Sequence, residues 1–528
     1  MKHTRKSVGL FLILFVSPLL FLLSCSKKEE DSSSSSSSSS TSTQSSTCVP
    51  KRTFTSVTKS SHKVETKRSK NSLMDFSGVN RTLTASTKVP LLVVRVQYAD
   101  ATFQSSETSW ADKIFGTSDG QMNHYLAETT YNKYQFTPIT ETSGTANDGL
   151  VTVTMSGNHP NTQKNSWNSY AFTAITAADS SVNFASYDND SNGKLSVSEL
   201  QVIFLVAGGE SATSINTPGG VWGMATGLAF DSDGDGYILN NSPPCTGSSE
   251  ECNGVEMDNV WFLGLNSTGQ NGFSQFGERQ GSSSTNTWDA TIGVMAHELG
   301  HAYFLLPDLY DTRLSPTNAG IGAFGLMGSG VWGRKSSIEK GGATPVHLSA
   351  WSKEKISACV PQTVDNGTNN LNLPAVYQSS IHAASCGIYK ATTSTSGEYF
   401  LFENRSSGGY DQGLNYLIKN GSTSNDIEST YSGGLAVWHV KDILSSCSGS
   451  NNCETQSPKL VDLEEANDGD LDNGSSIGRT THLFYSGNNS TFDNSSTPNS
   501  KLYDNSSSGI SATSISAAGD NMTLTISK

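Results

Sequence analysis

The stretch of sequence that decides the fold is HELGHAYFLLPDLYD, residues 297–311. Residues four apart on a helix lie on one face, so His297 and His301 can direct ring nitrogens at one metal ion while Glu298 reaches a water molecule there. This pattern is typical of the active-site helix of a zinc peptidase, with Glu298 as the general base. A chance match is the alternative, but the apolar run of residues 292–296 favours a buried helix.

Asp308 is the candidate for a third metal ligand, because a catalytic zinc site uses three protein ligands and keeps one position for water. Pro307 disfavours a helical conformation at Leu306, so the helix should end near Leu305. The chain is then free to fold back as Asp308 arrives. Asp311 is the alternative third ligand.

A Gly-rich segment, GAFGLMGSGVWG at residues 322–333, is centred on Met327. It resembles the Met-turn, the apolar floor beneath the zinc of metzincin-type proteases. Taken alone, a buried Met in such a loop more often serves packing.

Together these segments resemble the immune inhibitor A-like secreted bacterial metalloproteases. Further segments that carry the resemblance are VPLLVVRVQYAD (89–100), HYLAETTYNKYQF (124–136), TPVHLSAWSKEKI (344–356), EYFLFENR (398–405), GGLAVWHV (433–440) and STPNSKLYDN (496–505). The resemblance implies an α+β fold with a mixed sheet and an active-site helix, one catalytic zinc ion, structural calcium and protein or peptide substrates.

By motif matching, His297, His301 and Asp308 carry over as zinc ligands, Glu298 as general base and Met327 as the turn residue. Many relatives have Gly three residues after the second His and Asp six residues after it. Here Phe304 stands at the Gly position and Asp308 lies seven residues on, as an extra residue before LPD would explain.

A second motif, DNDSNGKLSVSE at residues 188–199, has the ligand spacing of an EF-hand calcium loop, with Gly193 at the sharp turn. A plain acidic turn is the alternative. A weaker candidate for a second calcium site begins at residue 231 but has Ser242 where the bidentate Glu would stand. The acidic stretch at 462–473 could bind a third ion, although its composition favours a solvated loop. The predicted calcium ligands are Asp188, Asp190, Asn192, Lys194 through its carbonyl, Ser196 and Glu199 in the first loop, and Asp231, Asp233 and Asp235 in the second.

The N-terminal sequence predicts export. Basic residues precede an apolar run from Val8 to Leu23, too short for a comfortable membrane span, so residues 1–24 are read as a signal peptide. The run ends in LLSC, which resembles a lipobox and predicts a membrane anchor through lipidated Cys25; an ordinary signal peptide is the alternative. Residues 25–50, with nine consecutive Ser, predict a flexible tether, and residues 51–88 a spacer or propeptide remnant.

Charge and cysteine usage agree with an extracytoplasmic protein. The net charge of −14 does not favour nucleic-acid binding, which is typical of proteins with a basic surface. Six cysteines can be paired by proximity, as expected in an oxidising compartment, although sequence alone cannot fix their connectivity. The pairs are Cys245 with Cys252, Cys359 with Cys386, and Cys447 with Cys453, which leaves Cys48.

Two parts of the folded chain are predicted. Residues 89–357 form the zinc protease domain, and 358–528 a β-rich C-terminal portion with strands at 399–403, 435–440 and 522–526. The function predicted is that of an exported, membrane-tethered zinc endopeptidase. Alternatives are a calcium-stabilised adhesin or binding lipoprotein on an inactive protease fold, and a metal hydrolase acting on other bonds. The oxyanion stabiliser is unassigned, since His347 and His439 could equally be structural.

Overall fold

The structure is a computed structural model, and it describes residues 87–161, 168–216, 219–227, 254–264, 272–311, 319–378, 386–419, 431–442, 458–467 and 469–528. The predicted signal peptide, the tether, nearly all of the spacer and the second calcium candidate lie outside these residues. So do the cysteines Cys25, Cys48, Cys245, Cys252, Cys447 and Cys453.

Strands outnumber helices in the described residues, and both are numbered in chain order. The strands are β1 Thr87–Gln97, β2 Tyr134–Pro138, β3 Leu150–Thr154, β4 Lys194–Leu195, β5 Gln201–Glu210, β6 Gly220–Val221, β7 Met224–Thr226, β8 Val255–Met257, β9 Val260–Phe262, β10 Phe273–Ser283, β11 Asn286–Asp289, β12 Gln362–Thr363, β13 Thr368–Pro374, β14 Tyr389–Thr392, β15 Glu398–Asn404, β16 Leu435–Lys441, β17 Val461–Leu463, β18 Ser511–Thr513 and β19 Asn521–Ser527. The α-helices are α1 Glu107–Phe115, α2 Met122–Thr129, α3 Asn168–Ala178, α4 Ile292–Ala302 and α5 Ala350–Lys355.

The larger sheet has the order β11–β10–β5–β1–β2, with β3 beside β1, β6 beside β5 and β7 beside β10. Strands β1, β2, β3, β5, β6 and β10 pair in parallel, whereas β7 and β11 run antiparallel to β10. The sheet is therefore mixed, as predicted, and the protein is of the α+β class.

The central strands are apolar because both faces of the sheet are covered. All ten residues of β5 are buried, and β1 carries a run of six buried residues from Leu91 to Val96. Continuous apolar runs of this kind are typical of parallel strands with layers on both sides. The apolar, β-branched sequences at 89–96 and directly after the calcium loop predict buried strands, and the structure has β1 and β5 there.

Helix α4 lies inside the core, packed against β10, and each of its eleven residues is buried. The first turn of the helix packs closely on a neighbouring segment at Gly293, whose N–H donates to the carbonyl of Gly342 at 3.0 Å. A Cβ on Gly293 would come within 2.2 Å of the Val331 carbonyl oxygen, so only glycine permits this approach. The helix is thereby joined to the chain that follows the Met327 segment.

The C-terminal part is rich in strands, as predicted. Strands β15, β16 and β19 match the three predicted segments to within one residue at each end. They belong to a sheet ordered β12–β14–β15–β16–β17 and to a three-stranded sheet ordered β13–β19–β18. One hydrophobic core extends from Val89 through Met295 to Trp438 and Leu483, and so runs across residue 357. The domain boundary at that residue stays a prediction.

None of the helices in the described ranges combines the length and apolar character required to cross a membrane.

Cys359 and Cys386 form a disulfide with a Cα–Cα distance of 5.8 Å, which confirms one of the three predicted pairs. Both residues are buried in the shared core. The bond joins the chain after α5 to the chain before β14, and it closes a loop with a sequence separation of 27 residues.

Replacing both cysteines, Cys359→Ala with Cys386→Ala, should lower the free energy of unfolding by about 3 to 4 kcal/mol, because the unfolded chain gains the loop entropy that the bond removes. Urea unfolding followed by circular dichroism measures this, and the m value should rise as the unfolded state expands. Cys48→Ala, at the cysteine left without a predicted partner, is the control and should unfold like the wild type. An unchanged midpoint in the double variant would contradict the expectation.

Candidate metal centre and its supports

Three donor atoms meet where α4 passes the chain that follows it. His297 Nε2 lies 3.1 Å from Asp308 Oδ1, and His301 Nε2 lies 3.2 Å from each of the other two atoms. All three residues are buried, with exposed fractions of 2 to 7%. The spacing of four residues on α4 thus brings both imidazoles to one point, and Asp308 completes a group that could hold a metal ion.

Backbone carbonyls fix the orientation of both imidazole rings. His297 Nδ1 lies 3.0 Å from the carbonyl oxygen of Leu326, and His301 Nδ1 lies 2.6 Å from that of Leu306. A carbonyl oxygen can only accept a hydrogen bond, so each Nδ1 is the protonated nitrogen that donates it. Each Nε2 is then the nitrogen available to a metal ion, as in most histidine-ligated sites.

The donor spacing fits a tetrahedral ion. Zinc–nitrogen and zinc–oxygen bonds of about 2.0–2.1 Å at tetrahedral angles separate two ligand atoms by about 3.3 Å. The three edges of the donor triangle, 3.1, 3.2 and 3.2 Å, lie close to that value. Two imidazoles and one carboxylate are also the kind of ligand set that leaves a position for water in catalytic zinc sites.

The electrostatics of the three groups are strongly coupled. Burial would lower the pKa of His301, but the charge of Asp308 and its hydrogen bond raise it to about 9. Burial would raise the pKa of Asp308, but the two imidazoles hold it below its ordinary value. A metal ion binding at Nε2 would displace the proton that this arrangement favours.

The turn between helix α4 and Asp308 begins earlier than predicted. Helix α4 ends at Ala302 instead of near Leu305, because Leu305 adopts a left-handed conformation with a φ of 59°. The N–H of Leu306 then donates to the carbonyl of Gly300 at 2.9 Å. The chain thus reverses one residue after Phe304.

Met327 lies against α4, as expected for a Met-turn. A Cβ at position 300 would come within 2.6 Å of Met327 Sδ, so Gly300 lets the thioether contact the helix between the two histidines. The carbonyl of Met327 accepts a hydrogen bond from the N–H of Leu309 at 2.8 Å. The same residue therefore contacts the helix and holds the chain next to Asp308.

Glu298 follows the first histidine on α4 and is 2% exposed. Its carboxylate interacts electrostatically with Glu210, a fully buried residue at the end of β5. Burial, with a contribution from Glu298, raises the pKa of Glu210 to about 7, although Glu210 accepts hydrogen bonds from the N–H groups of Gly277, Ala212 and Gly223. The charge of Glu298 thus acts on a second buried carboxyl group.

The other candidate residues occupy separate positions. Asp311 is 1% exposed and does not belong to the donor triangle. His347 Nε2 lies 2.7 Å from a carboxylate oxygen of Glu128. His439 lies between Glu398 and Glu464, 3.1 Å from an oxygen of each. Both histidines are thus engaged by carboxylates in the described structure.

The predicted calcium loop brings oxygen donors together. Carboxylate oxygens of Asp188, Asp190 and Glu199 lie within 4.8 Å of one another. Gly193 has a φ of +76°, as the sharp turn of such a loop requires, and its N–H donates to Asp188 at 2.9 Å. Asn192, Lys194 and Ser196 lie in the same loop, and β4, which begins at Lys194, pairs with β9.

The acidic stretch at 462–473 is partly neutralised by basic side chains in the described residues. Asp462 lies 2.7 Å from Lys459 Nζ, and Asp470 pairs with Arg479. These ion pairs account for two of its carboxylates without an added cation.

The sequence motifs did not identify the two carbonyls that orient the imidazoles, because any residue can supply a carbonyl. They also missed Arg405 and Asp411, a fully buried ion pair whose guanidinium touches the Met327 segment. The position of Arg405 in the sequence could have indicated the pair. Arg405 directly follows the apolar strand β15, and a charged side chain that is buried there needs a partner of opposite charge.

Comparison with known proteins places these residues in a family context. Residues 275–359, which include the donor triangle, Glu298 and Met327, match the family model described as the catalytic domain of the immune inhibitor A peptidase M6. A stretch of 66 residues, 12% of the chain, is 41% identical to the pre-pro-metalloprotease PrtV of Vibrio cholerae serotype O1, in strain M66-2 and in strain ATCC 39315 / El Tor Inaba N16961. It spans 7% of those relatives. The resemblance predicted from the motifs is confirmed over the matched residues.

The donor triangle predicts different effects for the two aspartates. Asp308→Ala should lose bound zinc during dialysis against a mild chelator, because it removes one of three donors. Asp311→Ala should weaken zinc binding about ten- to a hundredfold at most, the usual effect of a partner outside the ligand set. Metal content measured by mass spectrometry checks both. If Asp311→Ala emerges empty and Asp308→Ala emerges full, the assignment of the third ligand must be reversed.

Proposed function

We propose that this protein is a zinc-dependent endopeptidase that hydrolyses peptide bonds in protein or peptide substrates. The observation that carries the proposal is the buried donor triangle of His297, His301 and Asp308, with both rings fixed so that Nε2 faces the other donors. The match of residues 275–359 to a metallopeptidase catalytic domain supports it independently.

The side chains around the triangle have distinct tasks in this mechanism. A zinc ion, when bound, lowers the pKa of water and polarises the scissile carbonyl. Glu298 accepts the proton of the attacking water and passes it to the nitrogen of the leaving amine. The carbonyls of Leu326 and Leu306 keep the rings of His297 and His301 in the orientation that leaves each Nε2 for the metal.

A binding or adhesive role on an inactive protease fold is the competing function. A fold that had lost catalysis would be free to lose its general base, whereas Glu298 stands in place, buried on the same helix as the donors. The intact set of donors and base therefore favours hydrolysis.

We also propose that the loop at 188–199 binds one calcium ion, with structural effect. Its support is the cluster of Asp188, Asp190 and Glu199 oxygens at a left-handed Gly193. The loop leads within two residues of Glu199 into β5, the buried central strand of the larger sheet. An ion there would stabilise the start of that strand.

For location, we propose export and anchoring to the bacterial cell envelope through lipidated Cys25. The support is in the sequence: the basic start, the apolar run and the LLSC segment, followed by a Ser-rich tether. Acyl chains would supply most of the membrane affinity. The tether would let the enzyme reach substrates away from the membrane surface.

Glu298→Ala should retain zinc but lose about a hundredfold or more in the rate of peptide hydrolysis, because general-base assistance is typically worth that much. Casein hydrolysis by the purified protein, with and without a zinc chelator, measures it. Asp112→Ala, at an exposed carboxylate on α1, is the control and should keep full activity. A wild-type protein that binds zinc without cleaving casein or peptides would favour the competing binding function, and an unchanged rate in Glu298→Ala would exclude the mechanism.

Calcium should stabilise the wild type against thermal unfolding. The free energy of unfolding should rise by about 2.7 kcal/mol when the calcium concentration is a hundred times the dissociation constant. Glu199→Gln should lose most of this increment, because it removes the bidentate carboxylate. Differential scanning calorimetry with calcium or magnesium provides the measurement. Glu256→Gln, exposed on the neighbouring β8, is the matched control. A midpoint that calcium leaves unchanged in the wild type would show that the loop is a plain acidic turn.

A further inference from the structure

Arg405 and Asp411 form an ion pair with both side chains fully buried. The pair is bidentate: Arg405 Nε and Nη2 each donate to one oxygen of Asp411 at 2.6 Å. Burial would raise the pKa of Asp411, but Arg405 holds it below its ordinary value, so the carboxylate stays ionised. Both residues lie beyond the segment 275–359 that matches the family's catalytic domain.

The pair is connected to the backbone of residues 324–327 by two routes. Arg405 Nη1 donates directly to the carbonyl of Phe324 at 2.6 Å. On the other side, Asp411 accepts a hydrogen bond from the N–H of His347 at 3.3 Å, and the carbonyl of His347 accepts one from the N–H of Leu326 at 3.2 Å. One ion pair thus fixes the segment from both directions.

The segment 324–327 contacts each of the three metal donors or a residue next to it in sequence. The carbonyl of Leu326 orients the ring of His297. Met327 packs on Gly300, the residue before His301, and its carbonyl holds the N–H of Leu309, the residue after Asp308. A displacement of this segment would therefore move the donors relative to one another.

We propose that Arg405 and Asp411 are positioning residues of the metal centre, which they serve through residues 324–327. This inference rests on the zinc site proposed above. The pair fixes the position of the backbone of residues 324–327. That backbone in turn determines the orientation of the His297 ring and the position of Asp308 relative to the two histidines.

The chemistry of the side chains supports positioning over plain stabilisation. A buried ion pair adds little net stability compared with apolar residues of the same size, so stability alone does not call for an arginine here. A guanidinium offers donors in a rigid fork, and this one donates to Asp411, to the Phe324 carbonyl and to Glu403. A lysine ammonium keeps the charge but cannot reproduce the fork.

Arg405→Lys tests the proposal. We expect a folded protein that binds zinc about ten- to a hundredfold more weakly, the range usual for partners outside the ligand set. Zinc affinity is measured by competition with a chromophoric chelator. The visible absorption spectrum of the cobalt-substituted protein gives a second readout, and we expect its bands to shift because they report the ligand geometry.

Arg95→Lys is the matched control. Arg95 is also buried, pairs with Glu107 at 3.3 Å and donates to the carbonyl of Ser105 at 2.9 Å, but it sits on β1 and its partners lie in other segments of the fold. The control should lower the melting temperature while zinc affinity and the cobalt spectrum stay as in the wild type.

Wild-type zinc affinity and an unshifted cobalt spectrum in folded Arg405→Lys would overturn the proposal, as would an equal loss of affinity in Arg95→Lys. If Arg405→Lys does not fold, Asp411→Asn decides by the same two readouts, because it keeps the size of the side chain and weakens the pair. A wild type that binds no zinc would instead refute the proposed function, and the positioning role with it.

Discussion

The hydrogen bond from His297 Nδ1 to the Leu326 carbonyl is the constraint on which the candidate metal centre depends. It fixes the tautomer of the ring and joins helix α4 to the Met327 segment. Because its acceptor is a backbone atom, its position is set by the path of the chain and is independent of the side chain at 326. The centre is therefore only as well ordered as the backbone of residues 324–327, and the contacts made by that backbone determine the donor geometry.

The C-terminal part contributes one of those contacts, that of Arg405 with the Phe324 carbonyl, and it also holds the segment that precedes residue 324. Besides Arg405, the loop at 469–478 holds the preceding segment: the carbonyl of Leu471 accepts from the N–H of Ala319 at 2.7 Å, and that of Ile477 from the N–H of Ala323 at 2.6 Å. The shared core continues across the same region. Residues far downstream in sequence thus help to hold the backbone beneath the donor triangle, and the β-rich part contributes structurally to the candidate metal centre.

Local patterns were sufficient to predict much of the architecture and the donors. The spacing of His297 and His301 predicts their meeting on one helix face, and apolar runs predict β1, β15 and β16 closely, because these signals depend on periodicity within a few residues. The Cys359–Cys386 pair was found by proximity in sequence. Helix α4 ends three residues before the expected position, and the carbonyl acceptors and the Arg405–Asp411 pair escaped prediction. The early helix end follows from the backbone conformation of Leu305, which side-chain periodicity does not indicate. The Leu326 acceptor and the contact of Arg405 with Phe324 join segments far apart in sequence, which single-sequence patterns do not encode.

The left-handed conformation of Leu305 has an energetic consequence. A residue with a Cβ pays about 1–2 kcal/mol for this conformation, which glycine adopts freely. A glycine here would relieve that cost, but it would also loosen the joint between His301 and Asp308. Leu305 thus combines a local backbone cost with a stiffer connection between the second histidine and the carboxylate that follows it.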